Sequence, residues 1–256
     1  MPNPEGAHCP DQCGIGVMAK APRAGRSKTR LCPPLRPDQA AALSAAFLRD
    51  MTGKIAAAAR QAPIQGFVAH AEIGSEPLFE GLLAEGTGFI LADGATDMAE
   101  NVPAGVLGFG RCLLQAIRSM LRDGYGAACV LNSDSPTLPA SVLVGAARAL
   151  LMPGERVVLG PADDGGYYLL GMKSAHARLF ANIAWSTNSV ADATRARAQA
   201  LGLEIVELPV WYDVDDEAAL MRLVVDLRRR TADAPATEMA LRRMGLLTGN
   251  LVTQPE

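Results

Sequence analysis

No stretch of the 256 residues comes near the roughly 18 uncharged apolar residues that a membrane span requires. The opening "MPNPEGAHCPDQC" lacks the positive segment and apolar core of a secretory signal, so a cytoplasmic protein is the expectation. Excess positive charge is missing as well. The formal net charge is −3, which argues against general binding to nucleic acid or to a membrane surface. Any anion the chain holds must be held locally. The five cysteines (Cys9, Cys13, Cys32, Cys112 and Cys129) are an odd, scattered set, unlike a disulfide framework. Cys112 and Cys129 lie in apolar segments and read as core residues. His8, Cys9 and Cys13 could take a soft metal, but no second paired cluster supports them, and residues 1–13 read better as a disordered tail. His8, His70 and His176 have neither metal spacing nor a nucleophile partner. G-x-S-x-G and G-x-G-x-x-G are both absent, so serine-hydrolase and dinucleotide-oxidoreductase chemistry have no footing.

What is present is a globular composition, 49% apolar and 20% charged, long enough for one large domain or two small ones. "GIGVMAK" (14–20), "IQGFVAHA" (64–71), "GFILAD" (88–93), "AACVLNSD" (127–134) and "EIVELPV" (204–210) read as strands. "RVVLGPADDGGYYLLGMK" (156–173) holds two β-rich runs around Asp-Asp-Gly-Gly, a hairpin signal. Helices fall between them. One covers 37–61, where Leu43, Phe47, Met51 and Ile55 form an apolar face. Another covers 103–123, with Val106, Phe109, Leu113, Ile117 and Met120 as its buried face. Further helices run from Pro139 to about 151, near 187–201 and near 216–230, with a small terminal one in "ATEMALRRMGLL" (236–247). No long linker, repeat or low-complexity tract interrupts the alternation. A single α/β domain over 14–230 is therefore expected, with a mainly parallel central sheet, helices on both faces and a β-hairpin insertion. Residues 231–256 are expected as a helix and tail packed on the same domain. In such sheets ligands gather beyond the carboxyl ends of the strands.

The chemically unusual segments all follow strand-like runs. "VMAKAPRAGRSKTRL" (17–31) gathers Lys20, Arg23, Arg26, Lys28 and Arg30 without one carboxylate. Such a loop suits phosphate oxygens, or is simply a solvated basic loop. "GRSKT" is no P-loop, because Ser27 stands where glycine is required. Asp134 in "VLNSDSP" can hold a divalent cation against a diphosphate, or start an Asx-type turn. Asp213 and Asp215 would project from one face of an extended segment, as a second metal position needs. Asp215 or Asp216 is equally a natural N-cap for the next helix. Asp163 and Asp164, at the hairpin tip, could orient or deprotonate an acceptor, or only shape the turn. Gly165, Gly166 and Tyr167 behind them, with Trp185, Ser186 and Thr187 in "AWSTNS", are the acceptor-binding candidates. Ser186 and Thr187 also read as helix N-caps, and Trp185 either stacks on a base or sugar ring or fills the core.

Together and in this order, "VMAKAPRAGRSKTRL", "LNSDSPTLP", "LGPADDGGYYLLG", "IAWSTNSV" and "WYDVDDEAAL" resemble the bacterial radical-SAM/selenodomain-associated transferases. That glycosyltransferase-like family has the GT-A, or nucleotide-diphospho-sugar transferase, fold. The likeness spans residues 14–230, and it implies a Rossmann-like domain, a nucleotide-bearing donor and a divalent metal. "KTRL" (28–31) is also similar to the corresponding loop of 2-phospholactate guanylyltransferases, which share the fold and hold a nucleoside triphosphate there. The comparison implies Lys20, Arg23, Lys28, Thr29 and Arg30 as phosphate ligands, Asp134 as the metal aspartate and Asp213 or Asp215 as the second acid. Asn132-Ser133-Asp134 departs from the usual Asp-x-Asp, which leaves the metal to Asp134 and the late aspartates.

The expected function is a Mg²⁺- or Mn²⁺-dependent transferase with a nucleotide-activated donor and a small-molecule acceptor, foremost a glycosyltransferase using a nucleotide-diphospho-sugar. The alternatives are a nucleotidyltransferase that releases pyrophosphate from a nucleoside triphosphate, and a non-catalytic nucleotide-binding module. Nucleic acid is not an expected partner, and nothing in the sequence sets an oligomeric state.

Overall fold

Glycine alternates with branched residues in "GIGV", and this alternation decides how close the helices come to the sheet. The segment lies in β1 (Cys9–Met18), whose Ile15 and Val17 are fully buried on one face. Gly14 and Gly16 occupy the other face, where a Cβ on Gly14 would sit 2.8 Å from Met120 Sδ. The computed structural model describes residues 9–93 and 102–247. Residues 9–13 are strand and not tail: the Cys9 amide donates to Gly124 O and the Cys13 amide to Pro63 O, tying the segment down on both sides. Cys13 is committed to the core, its Sγ 3.8 Å from that of Cys129, while His8 lies outside the described residues.

The chain continues through α1 (Pro37–Ala59), β2 (Ile64–His70), β3 (Gly88–Leu91), α2 (Gly108–Arg122), β4 (Tyr125–Leu131) and α3 (Ala140–Leu151). It is completed by β5 (Arg156–Pro161), β6 (Tyr167–Met172), α4 (Val190–Ala200), β7 (Glu204–Glu207), α5 (Glu217–Arg229) and α6 (Pro235–Arg243). The seven strands form one sheet in the order β3-β2-β1-β4-β6-β5-β7. All neighbours pair in parallel except β6, which is antiparallel to both β4 and β5. The expected hairpin is thus folded into the sheet itself. No described helix is long and apolar enough to cross a membrane.

Leu48, Met51 and Ile55 of α1, with Leu143, Ala147 and Leu150 of α3, cover one sheet face. Leu113, Leu114, Ile117 and Met120 of α2 cover the other, and full burial of each such side chain contributes about 1.5–3 kcal/mol. Phe109, expected on that buried face, is 51% exposed: it lies in the first turn of α2, which begins only at Gly108, and meets the Trp185 ring edge-on. A third cluster joins Leu31 and Leu35 to Phe47 of α1, to Tyr212 and Val214, and to Leu220 and Leu223 of α5. It clamps the loop after β1 against the segment after β7.

Tyr168 fixes that late segment from within the sheet. Its ring packs on Gly160, and its hydroxyl donates to Pro209 O at 2.8 Å. A Cβ on residue 160 would lie 2.4 Å from Tyr168 Cζ. Gly160→Ala is therefore expected to displace the ring and to destabilise the protein by about 1–3 kcal/mol, read as a lower urea midpoint.

Candidate active site

The strand ends meet at one edge, around a cleft of about 480 Å³. Lys20, Arg26, Ser27, Lys28, Thr29 and Arg30 line it from the loop after β1, and Asn132, Ser133, Asp134 and Asp215 from the opposite side. The loop is built by its own bonds: Arg26 and Ser27 amides donate to Arg23 O, and the Arg23 amide donates to Ser27 Oγ. Buried Leu31 then anchors its far end. Arg23 itself faces away and pairs with Glu72 at 3.3 Å, so it is absent from the cleft wall. Arg26 takes a place there that the motif comparison did not give it.

Lys28 links the two sides. Its backbone is left-handed (φ 49°, ψ 42°), a conformation costing a side-chain-bearing residue about 1–2 kcal/mol. The bend carries its ammonium inward, to Asp215 Oδ1 at 2.7 Å, Asp134 Oδ1 at 2.8 Å and Val214 O at 2.9 Å. An ammonium has three donors, and these acceptors use all of them. The Phe47 ring lies 5.5 Å below. Burial would lower the Lys28 pKa, but the two carboxylates outweigh it and hold the group above the ordinary lysine value.

One lysine does not balance the acids gathered here. Asp213 is pushed up to about 7, by burial first and then by the charges of Asp215, Asp164 and Asp134. Asn132 Oδ1 and Ser135 Oγ are buried without hydrogen-bond partners. Among the described residues no three acids, histidines or cysteines form a closed metal cage. Mg²⁺ and Mn²⁺ do not need one beside a phosphate, since such ions are held by one or two carboxylates plus phosphate oxygens. Two carboxylates sharing a cation, a third whose pKa is raised by burial and by like charges, and an orphaned amide oxygen are a donor set that fits such an ion.

The hairpin tip splits its two aspartates. Asp163 is turned toward α5 and pairs with Arg222 at 2.6 Å, whose guanidinium lies 3.9 Å above the Tyr212 ring. Asp164 stays on the side of Asp213 and accepts the Gly166 amide at 2.8 Å. Gly165 (φ 89°) touches the next loop so closely that a Cβ would fall 2.1 Å from Asn188 O. Tyr167 and Trp185 meet edge-on and pack on the α2 side of the core, and Trp185 also meets Phe109 at 5.5 Å. Ser186 lines the cleft with φ 64°. Neither Ser186 nor Thr187 caps the helix. Thr187 Oγ1 donates to Ala184 O, and α4 starts after Ser189, whose side chain makes no cap bond. Asp216 does cap α5, accepting the Ala219 amide at 2.9 Å.

A larger groove of about 1370 Å³ runs between α1 and α6. Several of its charges are engaged, Arg36 with Asp38 and Lys54 with Asp233, while Asp50 accepts the first amides of α6. The smaller cleft is where the strand ends deliver opposed charges.

The chain belongs to the family described as "Uncharacterized protein conserved in bacteria (DUF2064)", whose model matches residues 54–187, just over half of it. Among solved structures, a protein from Desulfovibrio desulfuricans G20, provisionally described as a nucleotide-diphospho-sugar transferase, is 26% identical. It has a TM-score of 0.73 over 92% of this chain and 96% of that one. A cytidylyltransferase from Leptospira borgpetersenii serovar Hardjo-bovis (strain JB197) has 11% identity and a TM-score of 0.52, over 96% and 99% of the two chains. The CTP complex of CMP:2-keto-3-deoxy-manno-octonic acid synthetase has 12% identity and a TM-score of 0.50, over 86% and 99%. These last two likenesses are of fold alone. No match is found among curated proteins. The nucleotide-diphospho-sugar transferase fold is thus the fold of this chain.

The raised Asp213 value carries a sign. Folded protein binds more protons than unfolded between about pH 4 and 7, so this group's contribution is complete below about 4 and is lost as pH rises through about 7. Asp213→Asn is expected to stabilise the protein by about 1–2 kcal/mol near pH 8 and hardly at all near pH 4.5, as thermal melts at the two values would record.

Proposed function

We propose that the chain is a Mg²⁺- or Mn²⁺-dependent transferase that uses a nucleotide-diphospho-sugar donor and a small-molecule acceptor. The observation that carries this reading is the single cleft in which Lys20, Arg26, Thr29 and Arg30 face Asp134 and Asp215 across Lys28. The similarity to the Desulfovibrio protein over nearly the whole chain supports the same class of donor. Lys20, Arg26 and Arg30 bind the phosphates, and the Thr29 hydroxyl adds a neutral donor. Gathered on one wall of the cleft, these cations stabilise the charge that grows on the leaving phosphate as its bond to the transferred group breaks. Asp134 and Asp215, with Asp213 beside them, would hold the divalent ion, which supplies further neutralisation of that phosphate. Asp164 orients the acceptor hydroxyl and takes its proton, while its neighbour Asp163 secures the hairpin tip through Arg222. Gly165, Gly166, Tyr167, Trp185, Ser186 and Thr187 form the acceptor side.

A second reading is nucleotidyl transfer, in which an acceptor phosphate attacks the α-phosphorus of a nucleoside triphosphate and expels pyrophosphate. The observation favouring it is the number of cations on one wall, with Lys20, Arg26, Lys28 and Arg30 all lining the cleft. That much positive charge matches a triphosphate.

A thermal-shift series of nucleotide sugars and nucleoside triphosphates, with and without Mg²⁺ or Mn²⁺, is expected to show metal-dependent stabilisation by one class. Release of a nucleoside diphosphate supports sugar transfer, and release of pyrophosphate supports the second reading. Binding without turnover of any donor would leave a nucleotide-binding module, and a series with no response would overturn all three. Asp134→Asn should remove the metal-dependent part of the shift and lower turnover at least about 100-fold, the scale of losing one preorganised charge-stabilising group.

A further inference from the structure

We infer that Lys28 is an exchangeable stand-in for the divalent ion, holding the cation position between Asp134 and Asp215 and giving it up for the donor's phosphates, so that metal and phosphate enter together. The inference rests on the metal-dependent reading above and concerns the order in which the site is filled.

Three observations carry it. All three ammonium donors of Lys28 are spent on Asp134, Asp215 and Val214 O, so none is free for a phosphate in this arrangement. The same Asp134 oxygen also accepts from Ser133 Oγ at 2.8 Å, so the face it would turn to a metal is already occupied. The tether permits exchange as well. Lys28 sits one turn before buried Leu31, at the end of an exposed loop whose Gly25 has open space around it, and its side chain shares a cleft wall with Lys20 and Arg26. A flexible four-carbon stem can swing from carboxylates to phosphates without moving that anchor. A metal arriving alone must break three hydrogen bonds and expel a cation. When phosphate arrives with it, Lys28 gains new acceptors as it loses the old ones.

The test is a Mn²⁺ titration of the full chain, read from the electron paramagnetic resonance of free Mn²⁺, without nucleotide. Lys28→Met is expected to bind Mn²⁺ on the order of tenfold more tightly than wild type, since a competing unit charge has gone. The gain should vanish in Lys28→Met/Asp134→Asn. Lys28→Gln, which can still hydrogen-bond the carboxylates and hold the loop, should shift in the same direction, and a thermal melt verifies that each variant is folded. A merely structural lysine would give weaker binding when removed. Equal or weaker Mn²⁺ binding by both variants, in a protein whose Mn²⁺ binding rises with inorganic pyrophosphate, overturns this inference and leaves the metal-dependent reading standing. Failure of every form to bind Mn²⁺, with pyrophosphate or without, removes both.

Discussion

The triple grip of the Lys28 ammonium on Asp134, Asp215 and Val214 O is the contact that sets how charge is distributed in the cleft. Nearly 190 residues of chain separate its two ends, and tertiary structure works to keep them together. The cluster of Leu31, Leu35 and Phe47 with Tyr212, Val214 and Leu220 buries the apolar residues flanking each partner. The Val214 amide adds a bond to Asp134 O at 2.8 Å, which ties the β4 end to the late segment independently of any side chain. Charge pairing alone would not hold such a junction at a partly exposed site, where an ion pair is typically worth about 1 kcal/mol or less. The apolar cluster positions the charges, and the charges then set the chemistry.

Positioning of this kind leaves a residual cost. Lys28 compensates two carboxylates, and the third, Asp213, remains half-buried among like charges with its pKa near 7. A protein selected only for stability would carry an amide there. Two aspartates on one ammonium, with Asp213 raised by burial, by their charges and by that of Asp164, make sense where the native site must receive more positive charge than a lysine supplies.

Much of this was legible in the sequence because strand and helix periods are strong and the polar segments follow the strands directly. The helix at 37–61, the hairpin and the shared edge of "SKTRL", "NSD" and "YDVDD" all emerge at or within two residues of the expected limits or place. What spacing could not supply is direction. Asp163 and Asp164 are adjacent, yet one is drawn out to Arg222 and the other stays beside Asp213, a choice made by α5 and invisible in the hairpin itself. The motif comparison favours Arg23 over Arg26 as a phosphate ligand, but Glu72, beyond β2, claims Arg23 and leaves the cleft wall to Arg26. Phe109 satisfies the helical period but falls in the first turn of α2, half exposed beside Trp185. Residues 9–13 are polar and read as part of a disordered tail, and main-chain bonds to Gly124 and Pro63 make them a strand.

The one antiparallel strand explains why the acids of the hairpin reach the same edge as the basic loop. Because β6 opposes both β4 and β5, its two reversals cancel, and β5 runs in the direction of β1 and β4. The turn from β5 to β6 therefore opens on the edge where β1 and β4 end. β7 is parallel to β5 and ends there too, so the Trp211 amide can bond Pro161 O and the Asp163 amide Trp211 O. The reversal at residues 162–166, between β5 and its antiparallel neighbour β6, keeps that turn on this edge. The hairpin is thus the device that lets a mainly parallel sheet bring Asp164 within electrostatic reach of Asp213 while its remaining strands keep their shared polarity. Tyr168 stands in that strand and holds Pro209 at the root of the acidic segment, so the reversed strand also ties down the chain that carries Asp213 and Asp215.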